Sequence, residues 1–174
     1  MSEAIQREAM EYDVVIVGAG PSGLAAAIRL KQINADLTVA VIEKGAEVGA
    51  HILSGAVIDP KGLSELIPDW KAKGAPLETP VTKDKFVVLG AQGSLDLPVW
   101  AMPPFMNNHG NYIASLGNVC RWLAQQAEAL GVEVYPGMAA SAPVFDGDTL
   151  VGVVAGEFGI GKDGKPGPNY EPGM

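Results

Sequence analysis

Gly18-Ala19-Gly20-Pro21-Ser22-Gly23 stands between two dissimilar stretches, and this constrains the fold more than any other feature of the chain. Before it, Tyr12-Asp13-Val14-Val15-Ile16-Val17 ends in a continuous apolar, β-branched run, which suits a strand buried on both faces. After it, residues 22–32 place Leu24, Ala27 and Ile28 at helical spacing, with Leu30 as a further inward candidate. Asn34 and Asp36 break that helix, and Leu37–Glu43 reads as a second buried strand. Strand, glycine turn, helix and strand make a βαβ unit with a right-handed crossover.

Within such a unit the glycines have separable roles. Gly18 makes the tight turn out of the strand, Gly20 removes a side chain that would block a pyrophosphate, and Gly23 lets the helix pack close to the strand. The amide groups and dipole at the helix N-terminus then favour phosphate charge. Glu43 falls 20 residues after Gly23, where an acid accepts hydrogen bonds from an adenosine ribose. Its charge repels a 2′-phosphate, which disfavours NADP. The pattern does not choose between FAD and NAD, because both carry the same adenosine diphosphate half.

Further along, Asp59 as N-cap and Pro60 at the first helical position open a short helix, with Leu63, Leu66, Ile67 and Trp70 on one face and Pro68 ending or kinking it. Residues 74–110 carry five prolines and should be irregular, with short strands at 85–89 and 94–97. The apolar stripe Ile113, Leu116, Val119, Cys120, Leu123, Ala127, Leu130 predicts a helix over 112–130, stopped by Gly131. A third strand at 132–135 and a hairpin over 142–157 across Asp146-Gly147-Asp148 follow. The glycine-rich tail from Gly159 reads as a turn and an unfinished segment. The fold class is therefore α/β, a Rossmann-like domain with a parallel sheet and a β-hairpin insertion. Residues 1–11 form a polar arm and 12–174 the nucleotide-binding part.

The 174 residues carry 12 Lys+Arg against 20 Asp+Glu, a net charge of −8, which argues against nucleic acid as a partner. One cysteine, Cys120, excludes an internal disulfide and a four-cysteine zinc or iron–sulfur site held by this chain alone, so no metal ligands are assigned here. On the stripe of a helix, Cys120 reads as a core thiol. His109 is either an acid–base group or, the better reading, part of a turn and helix cap over Asn107–Asn111. The N-terminus lacks the pattern of a secretory signal and is a poor transit peptide, and no run of 18 apolar residues occurs, so the protein is expected to stay inside the cell or organelle where it is made, with membrane attachment from one side open.

The stretch Gly18–Ala27 resembles the FAD fingerprint of glutathione-reductase-like flavoproteins. Three others narrow the likeness: Gly49-Ala50-His51-Ile52-Leu53-Ser54-Gly55-Ala56, Pro68–Leu77, and Met106-Asn107-Asn108-His109-Gly110-Asn111-Tyr112-Ile113. With Gln126–Gly137 they resemble the electron transfer flavoprotein–ubiquinone oxidoreductases from about Tyr12 to Met174. The resemblance implies an enzyme with FAD and a 4Fe-4S cluster that takes electrons from electron transfer flavoprotein to ubiquinone. It would lie on the inner face of the bacterial cytoplasmic membrane or, in a eukaryote, on the matrix side of the mitochondrial inner membrane.

Such proteins are about three times longer than a one-domain chain. The chain is thus expected to be the N-terminal, incomplete part of an FAD domain, inactive alone, with the cluster cysteines elsewhere. The implied cofactor contacts are Val17, Gly18, Gly20, Pro21, Ser22 and Gly23 at the turn, Glu43 and Lys44 at the second strand, and His51, Ser54 and Gly55 in the next loop. Spacing makes the face of Leu63, Leu66, Ile67 and Trp70 a core face, whereas the resemblance implies that the segment 48–70 meets the membrane there. Another FAD- or NAD-dependent oxidoreductase, or a nucleotide-binding module without turnover, is the alternative.

Overall fold

The computed structural model describes residues 7–52, 55–161 and 164–174. In chain order these form β1 (Val14–Val17), α1 (Pro21–Ile33), β2 (Val39–Glu43), β3 (Ala56–Ile58), α2 (Lys61–Leu66), β4 (Thr79–Pro80), β5 (Phe86–Gly90) and β6 (Gly93–Leu97). Two 3-10 turns, Val99–Ala101 and Pro104–Met106, precede β7 (Tyr112–Ala114), α3 (Leu116–Ala129), β8 (Glu133–Pro136), β9 (Ala140–Asp146), β10 (Thr149–Ala155), β11 (Phe158–Ile160) and β12 (Pro166–Glu171). The chain divides into two units, one of residues 1–52 with 120–174 and the other of 53–119.

In the first unit β1, β2 and β8 form a parallel sheet in that order. Central β2 is buried from Val39 to Ile42, as its unbroken apolar run requires. β1 departs from the expectation of two buried faces. It lies at the edge of this sheet, and Val17 is 62% exposed, whereas Ile16 faces α1. A continuous apolar run reports that both faces can be covered, but not what covers them. Leu24, Ala27 and Ile28 are the buried face of α1, while Leu30 is half-buried. Tyr12 and Tyr135 both donate to the Glu133 carboxylate, which joins the N-terminal ends of the outer strands β1 and β8; those bonds, Tyr135 first, hold Glu133 below the usual carboxylate range.

The hairpin β9–β10 forms where the sequence places it. The tail contains the expected turn, and the strands on either side of it, β11 and β12, pair antiparallel. Arg7 explains part of this. Its Nε donates to Pro172 O at 2.8 Å and its Nη2 to Glu157 Oε1 at 3.1 Å, while Tyr170 OH reaches the same carboxylate oxygen at 2.8 Å. The end of the polar arm therefore ties down the tail, a pairing between positions 150 residues apart that no local pattern reports.

The second unit is built on the antiparallel sheet β3-β7-β4 and the hairpin β5–β6. Pro60 takes the N-cap position of α2, one residue after the expected Asp59, whose Oδ1 still accepts from Lys61 N at 2.9 Å, and the helix ends before Pro68. The face assigned to the membrane is corrected here. Ile67 and Trp70 are each 4% exposed, and Leu63 and Leu66 are half-buried. Trp70 Nε1 donates to Ser64 Oγ at 2.9 Å, and its ring meets Tyr112 edge-on with centroids 5.7 Å apart. A tryptophan satisfied in this way is core. Tyr112–Ala114 is strand rather than helix because it pairs with both β3 and β4, and α3 begins only after Ser115, whose Oγ accepts from Asn118 N at 3.4 Å. The Asn107–Asn111 segment is thus a turn but not a helix cap.

Candidate nucleotide site

The site grows from the end of β1. Gly18 N donates to Ile42 O at 2.7 Å, the last rung between β1 and β2, and the chain then turns with Gly18 at φ +103°, a conformation that favours glycine. Gly20 is the N-cap of α1 and Pro21 opens the helix, where a missing N–H costs nothing. The first bond of α1 runs from Leu24 N to Gly20 O at 3.0 Å, so the preceding amides lie at the open helix end. A Cβ on Gly23 would lie 2.1 Å from Gly18 O, whereas one on Gly20 would meet nothing within 4 Å. One glycine lets the helix sit on the turn; the other faces a space with no protein in it.

Glu43, at the end of β2, is half-buried and turned toward this loop. Its Oε2 accepts from Ala19 N at 2.9 Å and its Oε1 from Gly45 N at 2.7 Å. A carboxylate has about four acceptor positions, so capacity for hydroxyl donors remains. The loop after β8 braces this end of β2: Met138 N donates to Glu43 O at 2.8 Å and Gly137 N to Gly45 O at 2.7 Å. Lys44 and His51 are exposed, and the His51 ring lies against Gly45, 3.5 Å from a Cβ built there. Ser54 falls outside the described residues, and Gly55 belongs to the second unit, with φ +82°.

Arg121 is a contact that sequence reasoning missed. From α3 its Nη1 comes within 3.5 Å of Val48 O and 3.8 Å of Glu47 Oε1, on the loop that follows Glu43. Periodicity places it opposite the buried stripe but cannot say which loop runs there. Cys120 is fully buried, and burial pushes its thiol up to about 11, as a core thiol requires.

The residues present fit a nucleoside diphosphate. A glycine without Cβ at the open end of a helix leaves room for phosphate, and an oriented carboxylate one strand away suits a ribose diol. The turn itself supplies no acid or base, so its residues suit binding rather than reaction. Among the described residues no group of His, Cys, Asp and Glu could hold a metal ion, and no helix is long and apolar enough to cross a membrane.

Fold and site together define a Rossmann-like nucleotide-binding α/β protein, and residues 16–73 match the family described as NAD(P)-binding Rossmann-like domain. Across nearly its whole length the chain matches the electron transfer flavoprotein–ubiquinone oxidoreductases. It is 56% identical to the protein of that name from Pseudomonas aeruginosa over 98% of this chain and 32% of the relative. The mitochondrial proteins of that name from Dictyostelium discoideum and Bos taurus are 57% and 53% identical over 97% and 98% of this chain, and 28% of each relative. The chain therefore spans about 30% of the length of the curated relatives it matches. Among solved structures, a geranylgeranyl bacteriochlorophyll reductase-like protein from Thermoplasma acidophilum has a TM-score of 0.61 at 23% identity over 83% of this chain and 34% of its own. The myxobacterial halogenase CndH, an FAD-dependent halogenase variant, has a TM-score of 0.58 at 17% identity over 83% and 32%. These two share the fold.

Proposed function

We propose that this chain holds the adenosine diphosphate half of FAD in a protein that passes electrons from reduced electron transfer flavoprotein to ubiquinone. The open cradle at Gly20, with Glu43 bonded to Ala19 beside it, carries the reading, and the names of the relatives supply the electron donor and acceptor. The flavin supplies the redox chemistry when bound. Gly20 and Ser22 present backbone to the diphosphate, Gly18 makes the turn and Gly23 lets α1 pack on it, Glu43 accepts from the ribose, and Arg121 steadies the loop after Glu43. The 4Fe-4S cluster is assigned to residues beyond this chain, whose single cysteine cannot ligate it alone.

Glu43→Ala in the full-length protein is expected to lower flavin retention tenfold or more, since a charge-assisted hydrogen bond contributes ~1.5–3 kcal/mol. Equilibrium dialysis reads the affinity. Reduction of a short-chain ubiquinone by reduced electron transfer flavoprotein should fall in proportion to the flavin lost. A colourless protein that binds NAD alone would overturn the reading.

The inner-face membrane attachment is proposed for the second unit, though not through Ile67 and Trp70. Trp100 and Phe105, on the two 3-10 turns, are 88% and 85% exposed, and aromatic rings favour the lipid–water interface. Replacing both by Glu should weaken vesicle binding of the full-length protein at least tenfold, with flavin retained, because each ring contributes ~1.5–3 kcal/mol when fully buried. Unchanged co-sedimentation would remove these turns from the membrane.

A further inference from the structure

A cleft of about 190 Å³ in the second unit is lined by Val81, Thr82, Lys83, Asp84, Val99, Asn107 and His109. The nucleotide site uses none of these residues. Its polar lining is rich in donors. Asp84 keeps its charge, but both of its oxygens are engaged by one neighbour, Oδ2 accepting from Asn108 N at 2.6 Å and Oδ1 from Asn108 Nδ2 at 3.1 Å. Asn107 Oδ1 accepts from His109 N at 2.9 Å, which leaves the Asn107 amide NH2 as a donor. Lys83 is exposed and has no ion-pair partner among the described residues, unlike Lys85, which pairs with Asp96 at 3.0 Å. An ammonium, an amide NH2, an imidazole and the Thr82 hydroxyl thus border one small cleft in a chain whose net charge is −8.

The cleft is continuous with the exposed aromatic turns. Val99 begins the turn that carries Trp100, and Asn107 is the C-cap of the turn that carries Phe105. A donor-lined recess, with Lys83 as its cation beside the hydrogen-bonded Asp84 and with Trp100 and Phe105 one and two positions from its lining residues, suits a lipid at its interface, with phosphate outside and acyl chains inside.

We propose that this cleft takes the phosphate of an anionic phospholipid, with Lys83 as its charge partner and Asn107, His109 and Thr82 as further donors. The inference rests on the membrane reading above and adds a headgroup preference to it.

The test uses flavin-loaded full-length protein and two kinds of vesicle, phosphatidylcholine alone and phosphatidylcholine with phosphatidylglycerol. Lys83→Ala should lower binding to the anionic vesicles about five-fold, the weight of one basic side chain at such a surface. Binding to phosphatidylcholine should stay at the wild-type level, and Lys83→Arg should restore the preference. Lys61→Ala removes the same charge from exposed α2 and should have a smaller effect. Equal losses for Lys61→Ala and Lys83→Ala would make the preference a general charge effect and overturn the site. Glycerol 3-phosphate bound in a Lys83-dependent way by protein that shows no anionic-vesicle preference would assign the cleft to a free phosphate and overturn the lipid. The two readings fail separately: vesicle binding indifferent to Trp100→Glu and Phe105→Glu sinks the membrane contact, whereas binding that needs those rings but not Lys83 sinks only the headgroup site.

Discussion

Full-length protein carrying Gly20→Val should fold and purify without flavin. Gly20 has φ −78° and ψ 177°, an extended conformation open to any residue, and a Cβ there would meet no protein atom within 4 Å. Valine therefore costs the fold little. It fills the space at the end of α1 where a diphosphate has to approach the backbone. Losing even two charge-assisted bonds of ~1.5–2 kcal/mol each lowers affinity at least a hundredfold. Ser22→Ala leaves the backbone donors in place and should retain most of the flavin. The visible absorbance of the two purified variants, with far-ultraviolet circular dichroism as the check on folding, decides the matter. Equal flavin content in both would show that the turn does not hold phosphate.

Gly23→Ala should damage the fold itself. The added carbon would lie 2.1 Å from Gly18 O and 3.3 Å from Gly18 C, both backbone, and 3.2 Å from Ile16 Cγ2. None of these is the far end of a flexible side chain, so α1 has to move off the sheet. Overpacking of this kind costs about 3 kcal/mol, and here it acts with or without cofactor. A lower urea midpoint for the flavin-free protein is the expected result. A variant with the wild-type midpoint that loses only flavin affinity would transfer Gly23 from packing to binding. Two glycines three positions apart thus produce opposite signatures, one in affinity and one in stability.

The βαβ unit was legible because each part depends on its own residues. The β-branched run, the glycines and the helical spacing of Leu24, Ala27 and Ile28 act through local conformational energies and burial. Asp59 and Pro68 were legible as start and stop signals for the same reason. The run from Tyr112 was misread because Ile113 suits the stripe of a helix and the pleat of a strand equally well. Only β3 and β4, far apart in the chain, offer the hydrogen bonds that decide for strand. The turn in the tail was legible, but the pairing of β11 with β12, held in part by Arg7, was not.

The glycine turn and its partner acid were determined by the sequence itself. Gly18, Gly20, Gly23 and Glu43 sit at separations that only a strand–turn–helix–strand course makes useful, and backbone geometry enforces that course. The tertiary structure decided where each apolar face goes. Leu63, Leu66, Ile67 and Trp70 share one face by spacing, yet what covers that face depends on distant partners. Tyr112 lies edge-on to the Trp70 ring and Ser64 takes its N–H, which makes the face core and leaves Trp100 and Phe105 outside. Amphipathic spacing measures how much surface needs cover, and only the folded chain shows what provides it.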